Sequence, residues 1–268
     1  MPGAVAPVRD ALSAAEDALR AAGCDTPRLD AELLLAHALG VTRTQLFATP
    51  EAEVPPGFEP LLARREAREP LAYVLGEWGF RRLTLTIDRR ALVPRPETEI
   101  VVERCLALLA SRRAPRVLDV GVGCGAIALA LADEHPDARV TGIDVSDDAL
   151  ALARENAERT GLALELRRGG VEVAAEGWDL VVSNPPYVAP EELEALQPEI
   201  RAWEPCCALV GEGFQQQVAR AARTELLVLE VAPRQAGAVA RELRELAYDD
   251  VCITQDLAGK DRVVEGRR

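Results

Sequence analysis

Asn184-Pro185-Pro186-Tyr187 is the stretch whose side chains point together to one kind of chemistry. A flat NH2 group on a substrate needs two hydrogen-bond acceptors and a planar slot. Asn184 offers a carbonyl oxygen as one acceptor. Proline has no N–H, so Pro185 and Pro186 present carbonyls without a competing donor, on a backbone whose φ is fixed. Tyr187 supplies a ring on which a planar group can stack. The tetrapeptide follows Leu180-Val181-Val182-Ser183, an apolar run that reads as a buried parallel strand. It therefore stands at the carboxyl end of a strand, where open α/β sheets hold their ligands. A lone Asn-Pro after a strand is more often a plain turn. All four residues together, downstream of a glycine-rich loop, favour a site that grips an amide or amino nitrogen.

That loop is Asp119-Val120-Gly121-Val122-Gly123-Cys124-Gly125-Ala126, set between a strand over 116–120 and a helix over 126–133. Glycines let backbone pass close to a ligand, and the helix start that follows presents free N–H groups. Asp144 ends the next strand, nineteen residues after Gly125, where an acid can accept both hydroxyls of a ribose. Gly121-x-Gly123-x-x-Ala126 also fits the dinucleotide fingerprint, so NAD is the alternative cofactor. Three features favour S-adenosylmethionine. Asp119 can meet the amino-acid end of a zwitterionic ligand but would repel a pyrophosphate. Glycines at alternate positions suit a methionyl chain lying across the loop. The Asn184–Tyr187 loop then gives an acceptor site beside a methyl donor, which a hydride carrier would not need. The residues expected to face the cofactor are Asp119, Gly121, Val122, Gly123, Cys124, Gly125, Asp144, Val171 and Asn184.

The elements that must position these residues follow from periodicity. Residues 5–70 read as helices: 11–22 ends at Gly23, and 28–39 starts after Thr26-Pro27 and ends at Gly40, the Pro-first, Gly-last asymmetry. A third helix follows Pro55-Pro56 and runs to about residue 69. From residue 73 to 92 the period changes to alternation, with Leu83-Thr84-Leu85-Thr86-Ile87 as one arm of a hairpin. Beyond that, strands over 116–120, 139–143, 163–166, 180–183, 226–231, 251–254 and 262–265 alternate with helices over 126–133, 147–160, 191–199 and 234–246. Such alternation implies a doubly wound α/β sheet with helices on both faces. Three segments result: helical residues 1–72, a hairpin linker over 73–94, and a cofactor-binding domain over 95–268.

Composition narrows the classes. In 268 residues, 49% apolar and 28% charged, there is enough apolar material for a sizeable core. The net charge of −13 argues against a broad phosphate-binding face, so no direct nucleic-acid contact is expected. Six cysteines form no CxxC pair, and the two histidines, His37 and His135, lie far apart, so no metal centre is expected. Residues 1–10 lack the pattern of an export signal, and no run reaches the ~18 apolar residues of a spanning helix. The expectation is a cytoplasmic monomer with free thiols and no membrane association.

Over nearly its full length the chain resembles the release factor glutamine methyltransferases (PrmC/HemK). The resemblance runs through Pro70-Leu71-Ala72-Tyr73-Val74-Leu75-Gly76, then Leu92-Val93-Pro94-Arg95-Pro96-Glu97-Thr98-Glu99. It continues through residues 119–125, Asp144, residues 184–187, Glu204-Pro205 and residues 256–262. It implies a helical substrate-recognition domain joined to a Rossmann-like, S-adenosylmethionine-dependent methyltransferase domain. It also implies peptide chain release factors as partners, methylated on the glutamine amide of their Gly-Gly-Gln motif. Asn184, Pro185 and Tyr187 would then be catalytic, with Pro186, Arg95 and Glu97 also bordering the substrate. For Arg95, Glu97 and Glu99 a plain helix start, with Pro96 in its first turn and acids near its N-terminus, fits equally. Val122 and Cys124 replace two hydroxyl residues of the family's loop, and Gly170 replaces its adenine-side acid, with Glu172 two positions later. The segment over 211–226 is shorter than the family's. Two rivals remain: a nucleic-acid amino-methyltransferase, since adenine N6 is also a planar NH2, and a cofactor-binding subunit without turnover.

Overall fold

The computed structural model describes residues 7–268, so the reading of residues 1–10 as lacking an export signal rests largely outside it. Among the described residues no helix is long and apolar enough to cross a membrane. Two compact units form. One runs to Gly76 and takes in Gln197–Trp203; the other comprises Glu77–Leu196 and Glu204–Arg268.

The first unit is helical: α1 (Val8–Ala21), α2 (Pro27–Leu39), α3 (Arg43–Leu46), α4 (Phe58–Glu66) and α5 (Leu71–Leu75). Pro27 opens α2 and Gly40 closes it in the left-handed conformation. The one-turn α3 has no visible periodicity and is held by a capping box. Thr42 Oγ1 accepts from the Gln45 N–H at 3.2 Å, and Gln45 Oε1 accepts from the Thr42 N–H at 2.9 Å. Leu12, Leu19, Leu34, Leu35, Leu46 and Phe58 fill the core, each worth about 1.5–3 kcal/mol on leaving water. Helix α5 corrects the expected linker: residues 73–75 are its last turn rather than the start of a hairpin, and Gly76 ends it at φ 75°. Residues 197–203 join this unit through charge. Buried Arg65 bonds Asp30 at 2.7 Å and Glu199 at 2.8 Å, and Arg68 reaches Glu199 at 2.6 Å.

The second unit begins with a hairpin, β1 (Glu77–Phe80) and β2 (Leu83–Thr86), with Trp78 opposite Leu85. Then come α6 (Thr98–Leu109), β3 (Arg116–Val120), α7 (Ala126–Glu134), β4 (Arg139–Asp144), α8 (Asp147–Thr160), β5 (Glu165–Arg168) and β6 (Trp178–Ser183). After α9 (Pro198–Trp203), which packs in the helical unit, follow α10 (Cys206–Leu209), α11 (Phe214–Ala221), β7 (Thr224–Glu230) and α12 (Ala236–Glu245). Strands β8 (Cys252–Gln255) and β9 (Asp261–Arg267) end the chain. The helix expected over 191–199 does not form as one piece. A 3-10 turn covers Pro190–Ala195, and α9 starts only at Pro198, because the residue before a proline is pushed out of the helical region.

The sheet order is β5-β4-β3-β6-β7-β9-β8. The first five strands run parallel, β9 is antiparallel to β7, and β8 is antiparallel to β9. This is the doubly wound α/β sheet expected from the alternation. Leu118, Val181, Leu227, Leu229 and Val264 form the strand side of a core covered by Val218, Val239 and Leu243. From β3 the chain winds outward through β4 and β5, then returns to β6 and winds the other way. The switch point lies between β3 and β6, and their adjoining carboxyl ends carry the residues with chemistry.

Candidate active site

Ser183 Oγ donates to the Val120 carbonyl at 2.6 Å, fastening the end of β6 to the end of β3. Just past that bond both strands turn into loops, and a cavity of about 200 Å³ opens over them. Its wall contains Gly121, Val122, Gly123, Cys124, Asp144, Asn184, Pro185, Pro186 and Arg95. The switch point thus gathers in one cavity two segments that lie about sixty residues apart in the chain.

The glycine loop is shaped from below. The Gly121 and Val122 N–H groups both donate to the Ile143 carbonyl, at 2.9 and 2.8 Å. Gly123 turns at φ 54°, and its N–H donates to Asp144 Oδ2 at 3.1 Å. Asp144 Oδ1 accepts from the Ser146 N–H at 2.9 Å, and Ser146 caps α8. Each carboxylate oxygen keeps a further lone pair for a ligand hydroxyl. Val122 occupies its place by packing: a Cβ on Gly142 would stand 2.5 Å from Val122 Cγ2, so the bare strand backbone makes room for the branched side chain. Cys124 is buried, and burial pushes its thiol up to about 12, which keeps it neutral and unreactive. Fully buried Asn156 locks the loop to the hairpin. Its Nδ2 donates to the Cys124 carbonyl at 2.9 Å and the Thr86 carbonyl at 3.0 Å, while Oδ1 accepts from the Thr86 N–H at 2.7 Å.

On the other side Asn184 Nδ2 donates to Thr98 Oγ1 at 3.2 Å. That bond occupies the amide's NH2 end, and among the described residues no donor reaches its Oδ1. Pro186 leans on Gly211, whose N–H donates to the Val188 carbonyl at 3.2 Å, so the start of the 211–226 segment supports the tetrapeptide from outside. The Tyr187 carbonyl accepts from Arg234 at 3.2 Å and Gln235 at 3.4 Å.

Several expected residues lie elsewhere. Tyr187 is not in the cavity wall. Its hydroxyl instead reaches Glu230 Oε1 at 3.5 Å, and burial pushes the phenol up to about 12, with the Glu230 charge adding. Asp119 is 1% exposed beneath the loop, with neither carboxylate oxygen hydrogen-bonded. Burial raises its pKa to about 7; the Ala128 N–H opposes that rise and the Asp144 charge adds to it. Gly125 serves as the N-cap of α7 rather than wall. Val171 turns inward and packs against the sheet core, leaving Gly169 and Gly170 at the wall. Glu172 folds back to accept from the Gly170 N–H at 2.8 Å. Glu97 stands at the N-cap position of α6 without a side-chain capping bond and lies 3.7 Å from Arg262, off the wall. Arg95 lines the cavity, but its guanidinium is held at 2.6 Å by Glu204, a buried carboxylate that sequence inspection left without a role. Thr98, Glu230, Asn156 and Phe214 were also missed; no local pattern marks them.

The residues fit an S-adenosylmethionine-like ligand on two observations. Asp144 stands at the wall with lone pairs free beside the exposed apolar side chain of Val145, and an unpaired buried carboxylate, Asp119, underlies the glycine loop.

A doubly wound sheet with this loop, this acid and an acceptor-bearing tetrapeptide at its switch point defines a Rossmann-like methyltransferase. Solved methyltransferases share the fold. The hMettl16 catalytic domain in complex with MAT2A 3′UTR hairpin 6 superposes with a TM-score of 0.57 at 17% identity, covering 77% of this chain and 81% of that one. The T. thermophilus 16S rRNA methyltransferase RsmC, in complex with AdoMet and guanosine, gives 0.52 at 18% identity, covering 72% and 49%. Family models match twice: the PrmC N-terminal domain over residues 10–76 and the methyltransferase small domain over residues 99–201. Release factor glutamine methyltransferases are 40% identical in Deinococcus radiodurans, over 97% of this chain and 98% of that one, and 42% identical in Cereibacter sphaeroides, over 96% and 97%. The relative in Caulobacter vibrioides is 38% identical over 96% and 94%. The chain belongs to the release factor glutamine methyltransferase family.

Proposed function

We propose that the protein methylates the side-chain amide nitrogen of the glutamine in the Gly-Gly-Gln motif of peptide chain release factors, with S-adenosylmethionine as methyl donor. The observation that carries this reading is the shared cavity. Asp144 and the glycine loop lie on one side of it, and Asn184 and Pro185 on the other. S-adenosylmethionine supplies an electrophilic methyl group on a sulfonium. An amide nitrogen is a poor nucleophile because its lone pair is delocalised into the carbonyl.

In this reading Asn184 Oδ1 and the Pro185 carbonyl each accept one hydrogen of the glutamine NH2. Positive charge develops on that nitrogen during transfer, so both acceptors bind the transition state more tightly than the ground state. They also hold the nitrogen in line with the bond that breaks. Asp144 holds the ribose hydroxyls of the donor. Arg95, fixed by Glu204, borders the glutamine entry, and Tyr187 supports the tetrapeptide from behind. No strong base is required, since the methylated, protonated amide is acidic enough to release its proton to water. The net charge of −13 favours a protein substrate over a nucleic acid. Release factors as partners, action in the cytoplasm and a monomeric enzyme complete the proposal.

The test offers methyl-labelled S-adenosylmethionine with four acceptors: release factor, its Gln→Ala variant in the Gly-Gly-Gln motif, DNA and rRNA. Label is expected on the first alone. Label that persists on the Gln→Ala protein, or appears only on nucleic acid, overturns the assignment.

A further inference from the structure

Two arginines line the cavity, and their guanidinium groups are held differently. All three nitrogens of Arg90 donate to carboxylates, to Asp88 at 2.7 Å and Glu155 at 2.6 Å among them. Arg95 makes one such bond, from Nη2 to Glu204 Oε2 at 2.6 Å. Among the described residues no acceptor meets its Nε or Nη1. The Glu204 side chain is 1% exposed and that of Arg95 29%, so the carboxylate is interior and the guanidinium opens onto the cavity. Backbone ties Arg95 to the tetrapeptide. Its carbonyl accepts from the Thr98 N–H at 3.0 Å, and Thr98 Oγ1 accepts from Asn184 Nδ2 at 3.2 Å. One turn of chain therefore carries both Arg95 and the hydroxyl that holds Asn184.

A glutamine side chain entering this cavity brings two polar ends. Asn184 Oδ1 and the Pro185 carbonyl accept from its NH2, but its carbonyl oxygen also leaves water. A buried acceptor without a donor is costly. Arg95 has N–H groups to give. Its charge suits a neutral acceptor, because Glu204 already balances it. A second carboxylate, such as the one on the methionyl end of the methyl donor, would leave the group net negative where water screens little.

We infer that Arg95 donates to the side-chain carbonyl oxygen of the acceptor glutamine, and that Glu204 is the positioning residue that aims it. This rests on the reading of Asn184 and Pro185 given above. The amide nitrogen attacks by withdrawing its lone pair from the carbonyl, so the oxygen carries less negative charge at the transition state than in the bound substrate. A hydrogen bond to that oxygen therefore does not strengthen along the reaction. It contributes to binding and to the choice of glutamine, and its loss appears in KM rather than kcat. Asn184 Oδ1, facing the nitrogen, has the opposite signature.

Arg95→Ala alone would leave the buried Glu204 carboxylate unpaired and unsettle the fold. The double variant Arg95→Ala/Glu204→Gln removes both charges together. Steady-state methylation of release factor is measured for the parent, Glu204→Gln and the double variant, with S-adenosylmethionine affinity by calorimetry. The double variant is expected to raise KM for release factor roughly tenfold or more and to keep kcat within about threefold of the parent. Glu204→Gln should fall between the two in KM. Donor affinity should stay within about twofold in both variants. The release factor whose Gly-Gly-Gln glutamine is replaced by alanine serves as a competitive inhibitor that keeps every other contact. Its inhibition constant should be the same for the parent and the double variant, because the group that Arg95 meets is missing. An unchanged KM, a loss confined to kcat, weakened donor binding, or an inhibition constant that rises in step with KM each overturn the inference. A parent that fails to label release factor overturns the functional reading itself, so the parent's own turnover separates the two failures.

Discussion

Replacing Asp119 with asparagine should stabilise the protein increasingly as pH climbs from about 4 to about 7, and the size of the effect follows from where the carboxyl sits. Asp119 is 1% exposed with both oxygens unpaired, and its pKa is raised from 3.8 to about 7, mainly by burial. Between those two values the folded protein keeps a proton that the unfolded chain has released. Stability must therefore fall as pH rises through that window, at about 1.4 kcal/mol per pH unit. Over the full interval the loss is on the order of 4–5 kcal/mol. That is a large share of the ~5–15 kcal/mol that holds a typical domain together. Asparagine has the same shape and does not titrate. The stability difference, variant minus parent, should be flat below about pH 4, climb to about pH 7 and level off above it. Glu230, also raised to about 7, and carboxylates lowered by arginines, such as Asp88 and Glu134, are common to both proteins and cancel in the difference. The assay is urea unfolding without added cofactor, at constant ionic strength, across that pH range. Trp78 and Trp178 both lie in the sheet unit and report on its transition. A difference that does not change with pH would refute the argument that Asp119 is buried with its charge uncompensated.

Two further outcomes test the acceptor side. Asn184→Ala should lower kcat by ~10²-fold if Oδ1 acts as oriented transition-state stabilisers do, and near-normal turnover would remove Asn184 from the chemistry. Gly211→Ala would place a Cβ 2.7 and 2.9 Å from the Pro186 ring and 3.0 Å from its carbonyl oxygen. The tetrapeptide must then shift. Thermal melts should show a cost of about 1–3 kcal/mol, the usual range for overpacking. Methyl-transfer assays should show a loss of roughly 10- to 100-fold in kcat/KM, because small misplacements cost that much in a preorganised site. Activity within about twofold of the parent would show that Pro186 does not transmit the displacement.

Local pattern carried much of the fold. The apolar run before Asn184, the glycine loop after 116–120 and Asp144 at the next strand end were readable because strand and helix periods are properties of neighbours in the chain. Alternation then required a parallel sheet, and a parallel sheet places its ligands at its strand ends. Capping and proline effects account for the missed α3 and α5 and for the late start of α9. These are features of one or two turns, where periodicity has no room to show.

The cavity's supports were not legible, since each depends on a partner distant in sequence. Asn184 meets Thr98 across 86 residues, Arg95 meets Glu204 across 109, and Asn156 meets Thr86 across 70. Nothing in the neighbourhood of Glu204 or Glu230 distinguishes it from the chain's other acids until the sheet order sets β7 beside β6. The same packing moved Tyr187, Asp119 and Val171 off the wall where residue type alone had put them. The chain by itself determined which chemistry was on offer, because hydrogen-bonding capacity and backbone freedom belong to residue types. Only the tertiary structure decided which of those groups face the cavity and which are charged, because exposure and pKa belong to the surroundings that folding assembles.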